Sequence, residues 1–185
     1  MQITGTILTG GQSKRMGSDK ALLQLEGKTL LKRAVDLCSG LCEEILISSN
    51  NPTHRIENLR RIEDEVADCG PIGGIYTCLK HSANDWNFVL SVDAPFVQPD
   101  FIQFLKNKTD QFDAIVPVHD GKKEPLIAMY HKNALPQIEA QIKAENYKLH
   151  FLLQELNTNF VDATEWLVRY PELFRNLNAP EDLLY

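Results

Sequence analysis

The chain has 185 residues, a length that predicts one domain with its own hydrophobic core. Its composition, 43% hydrophobic and 24% charged, is ordinary for a soluble globular protein, and the net charge of −6 argues against a nucleic-acid-binding surface. No apolar run approaches the roughly 20 residues that a membrane-spanning helix needs, and the first residues lack the pattern of a signal peptide. We therefore expect a soluble, cytoplasmic protein with a single domain, residues 1–185.

Strand-like and helix-like segments alternate along the chain. Apolar runs of strand length occur at residues 3–9, 43–49, 86–92, 112–118 and 125–131. Helical spacing occurs at residues 29–42, 72–83, 99–108 and 134–144, whereas 157–163 and 174–177 are too short to assign. Strands separated by helices predict βαβ units, and therefore an α/β fold: a three-layer sandwich with a mostly parallel central sheet. We place residues 86–92 at a central parallel position, and residues 125–131, after a turn, as an antiparallel neighbour.

The four cysteines do not form a recognisable metal-binding pattern. Cys38, Cys42, Cys69 and Cys78 include no C-x-x-C pair. Cys38 and Cys42 lie four residues apart in a predicted helix, so they would share one face of it. We interpret all four as small, partly buried, reduced side chains.

Ligands of such sheets bind near the carboxyl ends of the strands. Polar loops follow three of the predicted strands, with the sequences "TGGQSKRMGSDK", "SSNN" and "SVDAPF". If the strands are parallel neighbours, these loops converge on one crevice.

The first of these loops combines paired glycines with three cations. It matches neither the P-loop nor the dinucleotide-binding glycine pattern. Gly10 and Gly11 would let the backbone approach a ligand closely, and their N–H groups can form an anion-binding concavity. Lys14, Arg15 and Lys20 would then surround the same anion. A solvated basic loop is the alternative that this pattern leaves open.

Asp93 follows an apolar strand directly. A carboxylate in this position can be a cap for the next turn, or a ligand of Mg²⁺, which typically takes one or two carboxylates and substrate phosphate oxygens. Each signal is weak when taken alone. Together, the glycine-rich basic loop and Asp93 predict a nucleoside triphosphate site.

The segment "LTGGQSKRMGSDKALLQLEGKTLL" resembles the nucleotidyltransferase signature L-A-G-G-x-S-x-R-M-G-x-D-K. The segments "EDEVADCGPIGGI", "SVDAPFVQPDFI", "KEPLIAMYHK" and "FRNLNAPEDL" are similar to those of molybdenum cofactor guanylyltransferases, and the resemblance covers residues 7–183. It implies a Rossmann-like nucleotidyltransferase fold. Two positions depart from the pattern: Thr9 stands where the family usually has alanine, and Ser48 where some members have asparagine, so Asn50 is the candidate for a replacement amide.

The resemblance also implies which residues bind the nucleotide. Leu8, Thr9 and Gly10 would line the guanine and the ribose with backbone groups, and Gly11 would continue the turn that faces the phosphates. Asp64 would help to bind the guanosine; by the pattern of residues alone it is an ordinary surface acid.

Three residues receive catalytic roles from the same resemblance. Lys20 would contact the phosphates, and Lys20 and Arg15 would stabilise the leaving pyrophosphate. Asp93 would bind Mg²⁺ and the nucleotide. The attacking group is a phosphate that is already an anion near pH 7, so no general base is required.

The implied reaction transfers GMP from GTP to Mo-molybdopterin and releases pyrophosphate. The alternatives are another nucleotidyltransferase, using CTP on molybdopterin or a nucleotide on a sugar phosphate, and a non-catalytic pterin-binding protein. Lys20 and Asp93 argue against the last, since binding alone has less need of Mg²⁺. We expect a monomer with no nucleic-acid or membrane partner and with transient contacts to proteins that synthesise or accept the cofactor.

Overall fold

A computed structural model describes residues 1–10, 19–178 and 182 of the chain. The strands are β1 (Ile3–Leu8), β2 (Gln24–Leu25), β3 (Lys28–Thr29), β4 (Glu44–Ser48), β5 (Arg60–Ile62), β6 (Trp86–Ser91), β7 (Ala114–His119), β8 (Lys122–Lys123), β9 (Ile127–His131) and β10 (Thr158–Asp162). The helices are α1 (Leu30–Ser39), α2 (Pro71–His81), α3 (Pro99–Lys106), α4 (Leu135–Lys143), α5 (Leu149–Glu155) and α6 (Thr164–Arg169), with short 3₁₀ turns at Lys20–Leu22 and Lys132–Ala134. Within the described ranges, no helix is long and apolar enough to cross a membrane.

One mixed sheet, in the order β10-β7-β9-β6-β1-β4-β5 with β8 paired to β7, forms the centre of the molecule. β1 runs parallel to both of its neighbours, β4 and β6, and β5 runs parallel to β4. β9 is antiparallel to β6 and β7, whereas β7 and β10 are parallel. The mostly parallel sheet is therefore confirmed, with β9 as the predicted antiparallel neighbour. The parallel position predicted for residues 86–92 holds on one side of β6 only, because β9 pairs with the other side.

Helices cover both faces of this sheet, and the alternation along β9 makes the three layers visible. Ile127 and Met129 pack into the core cluster that contains the buried faces of α1 and α3. Ala128 and Tyr130, the residues between and after them, pack into the second cluster, with α2, α4 and α5. A strand that is buried on both faces needs apolar residues at every position, which explains the continuous apolar runs in the sequence.

The parallel strands end at the same edge of the sheet, which we call the carboxyl edge. The last residue of β1, Leu8, lies opposite Ser48 of β4 and Ser91 of β6, and Ser48 lies opposite Ile62 of β5. The loops after these strands therefore start side by side. The predicted convergence is confirmed for the loops after β4 and β6 and for the described ends of the first loop, whose residues 11–18 lie outside the described residues. The loop after β5, a strand that the sequence analysis did not identify, joins them.

Helix α1 is shorter than the sequence predicts. It ends at Ser39, followed by Gly40 as its C-cap, so Cys42 lies beyond the helix and the predicted shared helix face with Cys38 is wrong. All four cysteines are free thiols, and three of them, Cys38, Cys69 and Cys78, are buried.

Two glycines set the position of α2 against the sheet. Gly70, the N-cap residue, has φ of 64° and ψ of −150°, a conformation that residues with a side chain rarely adopt. Gly74 lies one turn inside the helix, where a Cβ atom would lie 2.6 Å from Ser48 Oγ and 3.0 Å from Leu8 Cδ2. The absence of a side chain at Gly74 therefore lets α2 approach the carboxyl ends of β1 and β4.

We expect Gly74→Ala to lower the free energy of unfolding by about 1–2 kcal/mol, since overpacking outweighs a helix-propensity gain of about 1 kcal/mol. Gly40→Ala is the matched control, because its Cβ would meet no described residue within 4 Å and its backbone is already right-handed, so its stability should equal or slightly exceed that of the parent. Urea denaturation of both variants checks this. A Gly74→Ala protein as stable as the parent would contradict the close approach of α2.

Candidate active site

The backbone at the end of β1 lies along the carboxyl edge. Leu8 O accepts a hydrogen bond from Val92 N at 3.0 Å, and Thr9 N donates to Ser48 O at 3.2 Å. These bonds attach the end of β1 to the ends of both neighbouring strands. Gly10 follows on the surface, where no described residue lies within 4 Å of the position of a Cβ atom. No described residue therefore blocks the approach of a ligand to the backbone of Gly10.

A group of polar side chains surrounds Asp64, just beyond β5. Ser48 Oγ donates to Asp64 Oδ1 at 2.8 Å, and the backbone N–H of Asp64 donates to Asn50 Oδ1 at 2.9 Å. Burial raises the pKa of Asp64, while the bond from Ser48 lowers it to a smaller extent. Asn50 is thus adjacent to Asp64, as the replacement amide would need to be. A partly buried carboxylate with so few donors can accept further hydrogen bonds from N–H groups of a ligand.

Lys20 and Asp93 form a second group, on the β6 side of β1. Lys20 Nζ lies 3.5 Å from Asp93 Oδ2, and both side chains are about one-fifth exposed, at 20% and 21%. Ser91 Oγ donates to Asp93 Oδ1 at 2.6 Å, which orients the carboxylate. The distance of 3.5 Å is long for a charge-assisted hydrogen bond, so neither charge is tightly engaged by the other. Both can turn to a ligand.

The segment after α6 returns to this group. Leu177 N donates to Asp93 O at 2.8 Å, and Lys20 Nζ donates to Asn178 Oδ1 at 3.0 Å. Asn178 is itself held by the bond from its backbone N–H to Asp182 Oδ2, at 2.7 Å. The sequence analysis used this segment only for the resemblance and gave Asn178 no role.

The donor chemistry around Asp93 fits a hard divalent cation that is shared with a ligand. Among the residues that the structure describes, no three His, Cys, Asp or Glu side chains form a group that could hold a metal ion by themselves. One carboxylate, already oriented by Ser91, matches a cation that takes most of its remaining oxygen ligands from phosphates and water.

The structure brings together six of the eight predicted site residues. Leu8, Thr9, Gly10, Lys20, Asp64 and Asp93 all lie at the carboxyl edge. Gly11 and Arg15, like Lys14, fall in residues 11–18, outside the described residues, so their roles stay predictions.

A cluster that the sequence analysis missed lies at the ends of β1 and β4. It contains Asp19, Ser49, Asn51 and His54, and the His54 ring lies 2.8 Å from Asp19 and is 3% exposed. The available signal was the run "SSNNPTH", which is dense in polar side chains and directly follows a buried strand. Such a run is also typical of an ordinary turn, so the sequence pattern alone did not identify the histidine as a candidate.

Comparison with known proteins identifies close relatives. Residues 5–159 match the family model described as MobA-like NTP transferase domain. A probable molybdenum cofactor guanylyltransferase of Natranaerobius thermophilus is 33% identical, over 98% of this chain and 93% of the relative. The molybdenum cofactor guanylyltransferase of Vibrio campbellii is 33% identical over the same shares. Among solved structures, molybdopterin-guanine dinucleotide biosynthesis protein A from Archaeoglobus fulgidus superposes with a TM-score of 0.82 at 28% identity, covering 100% of this chain and 95% of that one.

The opposite pKa shifts of two aspartates predict opposite effects of pH on stability. Because the pKa of Asp64 is raised in the folded protein, its carboxyl group stabilises the fold at a pH below its unfolded-state pKa of about 3.9. This stabilisation is lost as the pH rises through the folded-state pKa. Asp64→Asn should therefore be more stable than the parent at pH 7, by a margin that shrinks as the pH falls.

Asp36 is the matched control, because hydrogen bonds from Lys28 and Lys32 lower its pKa. The carboxylate of Asp36 stabilises the folded protein at a pH above about 3.9, and this stabilisation is lost as the pH falls through the lowered folded-state pKa. Asp36→Asn should therefore be less stable than the parent at pH 7. Thermal unfolding from pH 7 to pH 4 measures both. A loss of stability at pH 7 in Asp64→Asn would show that burial does not penalise its charge.

Proposed function

The chain belongs to the MobA-like NTP transferase family, and from this premise we propose that it transfers GMP from GTP to Mo-molybdopterin, forming the guanine dinucleotide cofactor and pyrophosphate. The observation that carries the proposal is the Lys20–Asp93 pair beside the backbone of Leu8–Gly10 at the carboxyl edge. We also propose that residues 1–185 act as one nucleotidyltransferase domain. The sheet supports this, since β1 and β10, from opposite ends of the chain, belong to it.

The phosphate side of the site would act mainly by positioning and by neutralising charge. Lys20 would turn from Asp93 to the phosphates and, with Arg15, stabilise the charge that develops on the leaving pyrophosphate. Backbone N–H groups of Gly10 and Gly11 would hold the phosphates close to the loop. Phosphoryl chemistry needs little more from the protein, because the phosphate of the acceptor is already an anion.

Enzymes of this class use a divalent cation, and we propose that it is Mg²⁺, held by Asp93. When bound, the cation would neutralise phosphate charge and increase the electrophilicity of phosphorus. The role of the protein is to present Asp93 in one orientation, which the bond from Ser91 and the backbone bond from Leu177 support.

The base side would select guanine. Leu8, Thr9 and Gly10 would line the base and ribose with backbone groups, and Asp64 would accept hydrogen bonds from the N–H groups of the guanine edge. Adenine presents a different pattern of donors there, which would leave the partly buried carboxylate of Asp64 without these hydrogen bonds.

The relatives named above do not favour the alternative functions, transfer from CTP or to a sugar phosphate. The Lys20–Asp93 pair also argues against a protein that only binds the pterin. A cytoplasmic monomer with transient contacts to proteins that make or accept the cofactor remains our proposal, in line with the ordinary, acidic composition.

The proposal predicts nucleotide selectivity in binding and in turnover. Calorimetry with Mg²⁺ should give an affinity for GTP at least about tenfold higher than for ATP, CTP or UTP, because a mismatched edge leaves buried polar groups unpaired. Pyrophosphate release should require both GTP and Mo-molybdopterin. Equal affinities for the four nucleotides, a preference for CTP, or no release of pyrophosphate from GTP in the presence of Mo-molybdopterin would contradict the proposed function.

Asp93→Asn should keep the fold but reduce transfer roughly a thousandfold, since the metal anchor supplies several kcal/mol of transition-state stabilisation. The amide oxygen can still accept from Ser91, so the melting temperature should change little. The matched control is Asp36→Asn, a surface change on α1 that should leave turnover unaffected. Near-normal activity in a folded Asp93→Asn protein would remove Asp93 from the site.

A further inference from the structure

His54 is a buried histidine that connects three segments of the carboxyl edge. It lies in the loop between β4 and β5 and is 3% exposed. Its Nε2 lies 2.8 Å from Asp19 Oδ2, and its Nδ1 lies 2.7 Å from Ser49 Oγ and 3.1 Å from Thr9 Oγ1. The ring therefore contacts the residue after β1, the loop after β4 and the residue before the 3₁₀ turn of Lys20.

The partner of Nε2 places a proton on that nitrogen. A carboxylate only accepts hydrogen bonds, so Nε2–H donates to Asp19. Nδ1 lies within hydrogen-bond distance of the Ser49 and Thr9 hydroxyls, and the Thr9 hydroxyl donates its own proton to Ser48 O at 2.8 Å. Both ring nitrogens are thus satisfied, as burial of a polar side chain requires.

Asp19 connects the ring to the turn that carries Lys20. Its Oδ1 accepts from Ala21 N at 3.1 Å and caps the turn Lys20–Leu22. Its Oδ2 accepts from His54 and, at 2.7 Å, from Asn51 Nδ2. The placement of Lys20 relative to β1 therefore depends on how one carboxylate is held.

We propose that His54 is a positioning residue, which holds Asp19 next to Thr9 and thereby orients Lys20 towards the phosphates; the inference rests on the proposed function. The same ring contacts Thr9, which follows β1, and Asp19, which precedes Lys20. The base side does not depend on the ring, because Thr9 N and Oγ1 both donate directly to Ser48 O. His54 therefore serves the triphosphate and not the nucleoside.

The test is calorimetric titration of the full chain with GTP and with guanosine, in the presence of Mg²⁺. The quantity of interest is the triphosphate advantage, defined as Kd for guanosine divided by Kd for GTP. In His54→Leu it should fall at least about tenfold, the size expected when a hydrogen bond to a charged group is lost. The affinity for guanosine should stay within about twofold, as for a distant, independent site.

Two conservative variants separate the contacts of the ring. The amide of His54→Gln reaches the position of Nε2 and can donate to Asp19, so this variant should recover most of the triphosphate advantage. The amide of His54→Asn reaches only the position of Nδ1, so this variant should not recover it. If His54→Leu does not fold, the isosteric Asp19→Asn replaces it and should show the same selective loss, because an amide cannot accept hydrogen bonds on both sides.

His131→Gln is the matched control. Its Nδ1 accepts from Asn133 N at 3.1 Å and caps the turn Lys132–Ala134 at the opposite edge of the sheet, so both affinities should be unchanged. Equal losses of GTP and guanosine affinity in the His54 variants would indicate a merely structural role and overturn the proposal. Recovery by His54→Asn in place of His54→Gln would overturn it as well.

Parallel titrations of the parent with ATP and adenosine, and with CTP and cytidine, distinguish this inference from the proposed function. If the parent binds ATP or CTP more tightly than GTP, the proposed function is wrong. The triphosphate advantage measured with the preferred nucleotide and its nucleoside still decides the role of His54. If no triphosphate binds more tightly than its nucleoside, the inference about His54 is overturned too.

Discussion

The parallel pairing of β1 with β4 and β6 is the constraint on which the candidate site depends. It ends three buried strands at one edge, with Leu8 level with Ser48 and Ser91. Backbone groups and polar side chains that are dispersed along the sequence are thereby gathered along one edge of the sheet. Gly74 contributes to the same arrangement, since a side chain there would displace the end of β4 from α2. Packing and function therefore share residues at this edge, and a change in one is expected to affect the other.

Two of the carboxylates at the carboxyl edge, Asp64 and Asp93, have different surroundings. Asp93 is paired with Lys20 and oriented by Ser91, whereas among the described residues Asp64 accepts one side-chain hydrogen bond, from Ser48, and has its pKa raised by burial. Carboxyl groups whose pKa is raised by burial occur frequently at functional sites. His54 contacts Thr9 through Nδ1 and Asp19 through Nε2.

Much of this arrangement could be predicted from the sequence, because long apolar runs such as those of β1, β4 and β6 identify buried strands and the polar residues after them identify the ligand edge. β5 was missed because it is only three residues long and two of them are arginines, so its pattern is that of a polar loop. The position of Asp64 then had to come from the resemblance and not from physics. His54 was missed for a related reason: its partners Thr9 and Asp19 are 45 and 35 residues away in sequence, and only the fold brings them to the ring.

The central claim is that the carboxyl edge catalyses nucleotidyl transfer, and the most direct measurement is the fate of labelled phosphorus in GTP. The protein is incubated with Mo-molybdopterin and Mg²⁺, and with GTP labelled at either the α- or the γ-phosphate. We predict that the α label appears in the pterin product and the γ label in pyrophosphate, in equal amounts. Release of the γ label as inorganic phosphate, its transfer to the pterin, or an α label that stays in free nucleotide would contradict the account.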